Sequence, residues 1–146
     1  IMKACAFFGH RDYNYEEYRA ALKSSIVDLI ENHAVTQFYS GGRGNFDEFA
    51  SRMVYELKKQ YPHIRNTLVL SYIPKEKEED GLPEKYDDSI YLLEKKVPYR
   101  YAIAKTNEKI VERADFIISG VQFSRGGAYQ ACEYALKKGK TVIRLL

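Results

Sequence analysis

The chain has 146 residues, 45% of them hydrophobic and 29% charged, with a formal net charge of +3. That length suits one domain around one core, and the mild positive charge lacks the dense basic stripe of a nucleic-acid surface. No apolar run approaches the roughly 18 residues of a membrane span, and the opening IMKACAFFGH enters a strand pattern directly, with no secretory signal expected.

KACAFF (3–8) is a short apolar run ending at Gly9, which predicts a buried strand. Asn14 with Glu17 three residues later resembles a capping box, and Tyr15, Tyr18, Leu22, Ile26 and Leu29 recur at helical spacing, predicting an amphipathic helix over 15–32. AVTQFYS (34–40) is β-branched and aromatic, a second strand. Phe46, Phe49, Ala50, Met53, Val54 and Leu57 follow helical spacing closely, in a helix that should end near Tyr61-Pro62. NTLVLSYI (66–73) is the third strand. The charged stretch 74–88, with Pro74, Gly81 and Pro83, reads as a solvated loop or a lid, and SIYLLEK adds a short strand. A helix is expected over 99–113, with Ile103, Asn107, Ile110, Val111 and Ala114 on one face. DFIISG (115–120) is a buried strand. Ala128, Ala131, Cys132 and Ala135 give the next helix a face of small residues for close packing on a sheet, and TVIRLL closes the pattern.

Strands alternating with helices predict an α/β fold: a Rossmann-like three-layer sandwich with a mostly parallel sheet, in one domain over 1–146. Cys5 and Cys132, in apolar surroundings and outside any CxxC pair, are expected as reduced core thiols of a cytoplasmic protein.

In a parallel sheet all strand C-termini share one edge, where such folds bind ligands. Three strand ends here carry unusual loops: Gly9-His10-Arg11, Ser40-Gly41-Gly42-Arg43-Gly44, and Gly120 running on to Arg125-Gly126-Gly127. Two of them lead into helix N-termini, which favour anions, and each supplies an arginine for bidentate phosphate contacts. A single Gly-Gly after a strand is an ordinary tight turn; three such loops with arginine on one edge point to a phosphate-bearing ligand. Asp47 either holds a ligand hydroxyl or caps the helix starting near Asn45. His10 has no partner at metal-ligand spacing, and His33 and His63 lie at helix ends, so no metal site is expected. GGRGNFDE lacks the GK[ST] of a P-loop, and neither GxGxxG nor GxSxG occurs.

CAFFGHR (5–11), FYSGGRGNFDEFA (38–50), ELKKQYP (56–62), TNEKIVERADFII (106–118) and RGGAYQACEYALKKGKTVIRL (125–145) together resemble the YpsA-like branch of the SLOG superfamily. That superfamily also holds the LOG phosphoribohydrolases, the DprA DNA-processing proteins and molybdenum-cofactor carrier proteins. The resemblance implies a Rossmann-like fold binding nucleotides or nucleotide-derived molecules through the glycine loops, with Asn107 following the YpsA-like pattern. LOG enzymes cleave the N-glycosidic bond of a nucleoside monophosphate with a PGGxGTxxE motif. Laid on this chain, Gly126, Gly127 and Glu133 match it, while Arg125, Tyr129 and Gln130 replace its proline, third glycine and threonine. Those replacements put the hydrolysis in doubt, and Tyr129 stands either as a stacking ring or as a partly exposed helix tyrosine.

The reading is therefore a binding protein, for sensing or sequestration of a nucleotide or nucleotide-derived small molecule. Its ligand-binding residues are Gly9, His10, Arg11, Ser40, Gly41, Gly42, Arg43, Gly44, Asp47, Asn107, Gly120, Arg125, Gly126, Gly127 and Tyr129. No cofactor is expected. The alternative is a nucleotide N-glycosidase with Glu133 as its catalytic carboxylate; DNA binding ranks last. The tyrosine-rich first helix and the 99–113 helix carry surplus apolar surface, so a homo-oligomer is expected.

Overall fold

Alternate residues of the first strand, β1 (Lys3–Gly9), serve two separate cores, as the period of two in a strand demands. Cys5 and Phe7 pack with one pair of helices, and Ala4, Ala6 and Phe8 with another. The computed structural model describes residues 2–73 and 81–146. After β1, a single 3-10 turn (Glu16–Tyr18) leads into α1 (Arg19–Asn32), followed by β2 (Val35–Ser40), α2 (Asn45–Leu57), β3 (Arg65–Leu70) and β4 (Asp88–Tyr91). The chain then forms α3 (Tyr99–Arg113), β5 (Phe116–Gly120), α4 (Gly127–Lys137) and β6 (Thr141–Arg144).

All strand pairs are parallel, in the order β4-β3-β2-β1-β5-β6. The α/β expectation holds. One core joins α1 and α2 to the sheet through Leu22, Ile26, Leu29, Phe46, Met53 and Val54; the other joins α3 and α4 through Ile110, Val111, Ala131 and Ala135. Each large side chain taken fully out of water there contributes roughly 1.5–3 kcal/mol. Cys5 and Cys132 are buried free thiols.

The chain builds outward from β1 through β2, β3 and β4, then crosses to the other side of β1 to lay down β5 and β6. The order therefore reverses between β1 and β5, and the crevice outside their C-terminal ends is the topological switch point where such sheets take ligands.

Several local expectations need correction. The first helical turn is 3-10, and Asn14 Oδ1 accepts the Glu16 N–H at 3.0 Å rather than joining Glu17 in a capping box. In α3 the residues turned to the sheet are Ala102, Thr106, Ile110 and Val111, whereas Ile103 is 37% exposed. Small residues let the α3 backbone approach the sheet, and this rotates Ile103 outward. The segment read as a solvated loop is only partly so. Its residues 74–80 lie outside the described residues, but Tyr86 is buried, with its hydroxyl in a network with Ser40 and Ser51. Among the described residues, no helix is long and apolar enough to cross a membrane.

Candidate functional site

The geometry of the switch point starts from two glycines. Gly9 ends β1 and Gly120 ends β5, and they sit side by side in the register. The ring of Phe46, in the first turn of α2, lies over both. A Cβ built on Gly9 would stand 2.3 Å from it, and one on Gly120 would stand 2.5 Å away. Phe46 is fully buried and meets Tyr15 edge-on, with ring centroids 4.7 Å apart. These two glycines therefore exist to let a helix seat itself on bare backbone. Gly42 and Gly44 are accounted for in the same way, by Leu68 and by the Arg11 backbone. Close neighbours thus account for all four, and Gly9 also borders the crevice described below.

The loops are tied together by groups that are themselves buried or half-buried. The Tyr15 hydroxyl accepts the His10 N–H at 2.8 Å and donates to the Gly120 carbonyl at 2.7 Å, linking the β1 and β5 ends. Burial raises its pKa to about 12. His10 Nε2 accepts the N–H groups of Gln122 and Phe123, at 2.8 and 3.1 Å. An acceptor Nε2 requires the neutral ring with its proton on Nδ1. Burial, helped by the nearby charge of Arg125, holds the His10 pKa below the ordinary histidine value, which agrees with that state.

Between these loops lies a crevice of about 360 Å³, within the range of small-ligand sites. Gly9, His10, Arg11, Gly41, Arg43, Asp47, Asn107, Gly126 and Gly127 of the expected set line it, joined by Phe7, Phe8, Ile103 and Ala128. Among the described residues, neither Arg11 nor Arg43 has a carboxylate within salt-bridge distance. Burial and the neighbouring Arg11 lower the Arg43 pKa. Two cations thus face one small volume with their charge largely unneutralised.

At its floor stands Asp47, only 8% exposed, whose Oδ2 accepts the Arg43 N–H at 2.7 Å. Burial raises its pKa to about 7, against the opposing pull of that hydrogen bond and of the Arg43 and Arg11 charges. Asp47 closes the turn before α2, but as a residue inside the helix rather than as its cap.

The two helix N-termini differ. Both are capped by glycine in a conformation that side-chain-bearing residues essentially never adopt: Gly44 at φ 87°, ψ −172° and Gly126 at φ 94°, ψ 174°. In α2 the first N–H groups are already used, Asn45 bonding the Arg11 carbonyl at 2.8 Å and Phe46 the His10 carbonyl at 3.3 Å. In α4, by contrast, the N–H groups of Gly127, Ala128 and Tyr129 find no partner among the described residues. Only α4 offers the anion-binding terminus expected of both.

Seven expected residues lie outside that lining, Gly42 and Gly44 among them. Ser40 is buried in the hydroxyl network with Ser51 and Tyr86, and receives the Gly42 N–H at 3.2 Å. Gly120 is covered by Phe46. Arg125 lies over the Phe123 ring, 5.1 Å from its centroid, instead of entering the crevice. Tyr129 packs against the second core. Glu133 is exposed and lines a separate groove of about 750 Å³ between α3 and α4, with Arg100, Gln130 and Tyr134. The roomier groove is not the better candidate, because helices α3 and α4 alone line it, away from the strand ends that meet at the switch point. Asn107 and Gly127 border both spaces. Among the described residues, no three potential metal ligands converge.

Comparison with known proteins agrees with this architecture. No family model matches the chain. A 65-residue stretch, 44% of this chain and 35% of the relative, is 26% identical to a UPF0398 protein of Oenococcus oeni. DNA processing protein A from Streptococcus pneumoniae superposes with a TM-score of 0.71 at 17% identity, over 98% of this chain and 50% of that one. The molybdenum cofactor carrier protein of Chlamydomonas reinhardtii gives 0.55 at 14% identity, over 99% and 76%. This chain spans about half the length of the first of these structures. The Rossmann-like fold that the YpsA-like and SLOG resemblance implies is borne out.

Proposed function

From a chain that carries the SLOG-superfamily fold, we propose a binding protein for a nucleotide or nucleotide-derived small molecule, held by its phosphate in the switch-point crevice. One observation carries the reading: two arginines without carboxylate partners among the described residues share a crevice of about 360 Å³ with the open N-terminus of α4. A phosphate placed there would take charge-assisted bonds from Arg11 and Arg43 and backbone bonds from α4. His10 and Tyr15 act behind it, keeping the loops in place.

The hydrolytic alternative loses support. General acid-base work needs a carboxylate within hydrogen-bond reach of the reacting bond, and Glu133 faces the outer groove. DNA binding rests on fold likeness alone. The test is native mass spectrometry against a panel of nucleotides, followed by chromatography of the mixture. Intact bound ligand supports binding; released free base would make the protein an enzyme.

Self-association belongs to the same reading. Tyr101, Ile103 and Leu136 leave apolar surface exposed along α3 and α4, which a second copy of the chain would cover. Sedimentation should give at least twice the 17.0 kDa chain mass, for a homodimer or a higher oligomer; a monomer across micromolar concentrations would refute it.

A further inference from the structure

Two tyrosines outside the crevice's own lining take no part in either core, and one of them, Tyr99, lies one helical turn before Ile103, which lines the crevice. Tyr72 follows β3 and Tyr99 opens α3, so both lie at the C-terminal edge of the sheet. Tyr99 is 76% exposed and Tyr72 53%. Their ring centroids are 6.1 Å apart at an interplanar angle of 43°, so neither ring covers the face of the other. Both sit within electrostatic reach of the Arg43 guanidinium, which faces the crevice. Tyr129 and Tyr134 pack against the core instead.

We propose that Tyr72 and Tyr99 form the stacking platform for the planar ring of the ligand, whose phosphate end lies toward the α4 N-terminus. The ligand class is then a phosphate ester carrying an aromatic heterocycle, a refinement that rests on the phosphate reading above. Tyrosine suits this role because its ring is large, rigid and amphipathic, and costs little entropy to fix. The span fits too. From β5 to β3 the sheet takes three strand spacings, about 14 Å at ~4.8 Å each. A lone phosphate cannot bridge that distance, whereas a nucleoside phosphate extends along it. The cations occupy the middle of the span, since Arg11 follows β1 and Arg43 follows β2.

The experiment compares each of AMP, GMP, CMP and UMP with ribose 5-phosphate, which keeps the phosphate and lacks the ring. Affinities are measured by calorimetry on the wild type, Tyr72→Ala, Tyr99→Ala and Tyr99→Phe. Both side chains are exposed, so the variants should fold, which circular dichroism verifies. The chain has 13 tyrosines and no tryptophan, so stacking also reads out directly as quenching of tyrosine emission. At least one nucleotide should bind tenfold or more tightly than ribose 5-phosphate. Each alanine variant should weaken that nucleotide by about 5- to 100-fold, the usual worth of a base on an aromatic ring. Ribose 5-phosphate should change less than twofold, and Tyr99→Phe should retain affinity. Equal affinity for nucleotides and ribose 5-phosphate in the wild type, or unchanged nucleotide binding by both alanine variants, would overturn the platform while leaving the phosphate site standing. Tyrosine-dependent nucleotide binding with no ribose 5-phosphate binding would instead uphold the platform and overturn the phosphate reading. No binding of any probe by the wild type would overturn both.

Discussion

Replacing Asp47 with asparagine should leave the protein nearly unchanged near pH 4 and stabilise it increasingly up to pH 7 and above. The carboxyl is buried and its pKa stands at about 7 instead of 3.8. Between those values the folded chain holds a proton that the unfolded chain has released. Stability must then fall as pH rises from about 4 to about 7 and level off above. At about 1.4 kcal/mol for each pH unit separating the two states, the loss is on the order of 4 kcal/mol. Asparagine keeps the shape and an acceptor oxygen for the Arg43 N–H, but carries no charge to desolvate. Urea denaturation of both proteins at pH 4.5, 6 and 8 is the direct assay. The advantage of Asp47→Asn should grow with pH to about 2–4 kcal/mol at pH 8. A difference that stays constant with pH, or a wild type more stable than the variant at pH 8, would refute the reasoning. The same titration bears on the ligand. Above pH 7 a nucleoside monophosphate is already dianionic, so any further loss of affinity reports repulsion from ionised Asp47. An affinity that rises there would mean that the carboxylate accepts a ligand hydroxyl.

Arg43→Ala should weaken a phosphorylated ligand by about 1.5–3 kcal/mol, the worth of a charge-assisted hydrogen bond, without unfolding the protein; unchanged affinity in calorimetry would assign the side chain to solvent. Tyr15→Phe leaves the His10 N–H and the Gly120 carbonyl without their shared partner, and should cost on the order of 2 kcal/mol in thermal unfolding. A wild-type melting temperature in that variant would show that water replaces the hydroxyl. Glu133→Gln should change nucleotide affinity little, and the wild type should release no base from nucleoside monophosphates. Base release by the wild type, abolished in the variant, would reverse the ranking of binder over enzyme.

The fold was legible because its signals are periodic. The third helix was expected over 99–113 and forms over Tyr99–Arg113, and the apolar spacing from Phe46 to Leu57 picks out residues that are buried, apart from half-buried Phe49. The site was legible in its location but less so in its members. A glycine beside a strand end announces a close approach, not what approaches. For Gly9 and Gly120 that neighbour is Phe46, far away in sequence and itself read as an ordinary core position. Helical spacing marks Tyr15 only as an apolar knob, and one of its two hydrogen bonds goes to a carbonyl 105 residues away. Arg125 looked equivalent to Arg43 until the Phe123 ring drew it aside. Periodicity reports which face is buried; it does not report which partner a polar atom finds.

Several stability costs of this fold fall at one edge of its sheet. A carboxyl is buried there although its ionised form is disfavoured by burial. Two arginines stand close together without acidic partners among the described residues. Two glycines hold a backbone conformation that is costly for any other residue. None of these is needed to close the sheet, since β6, at the far side of β5, ends without any of them. Elsewhere several charged side chains pair conventionally, as in Arg19–Glu56 and Arg65–Asp88. Local departures from what stability favours persist where surrounding structure over-determines them and function uses them. Here the over-determining groups are visible: Phe46 pressed onto Gly9 and Gly120, the Tyr15 hydroxyl, and His10 Nε2. They hold the loops fixed, so a bound phosphate would neutralise the two arginines and favour the protonated form of Asp47.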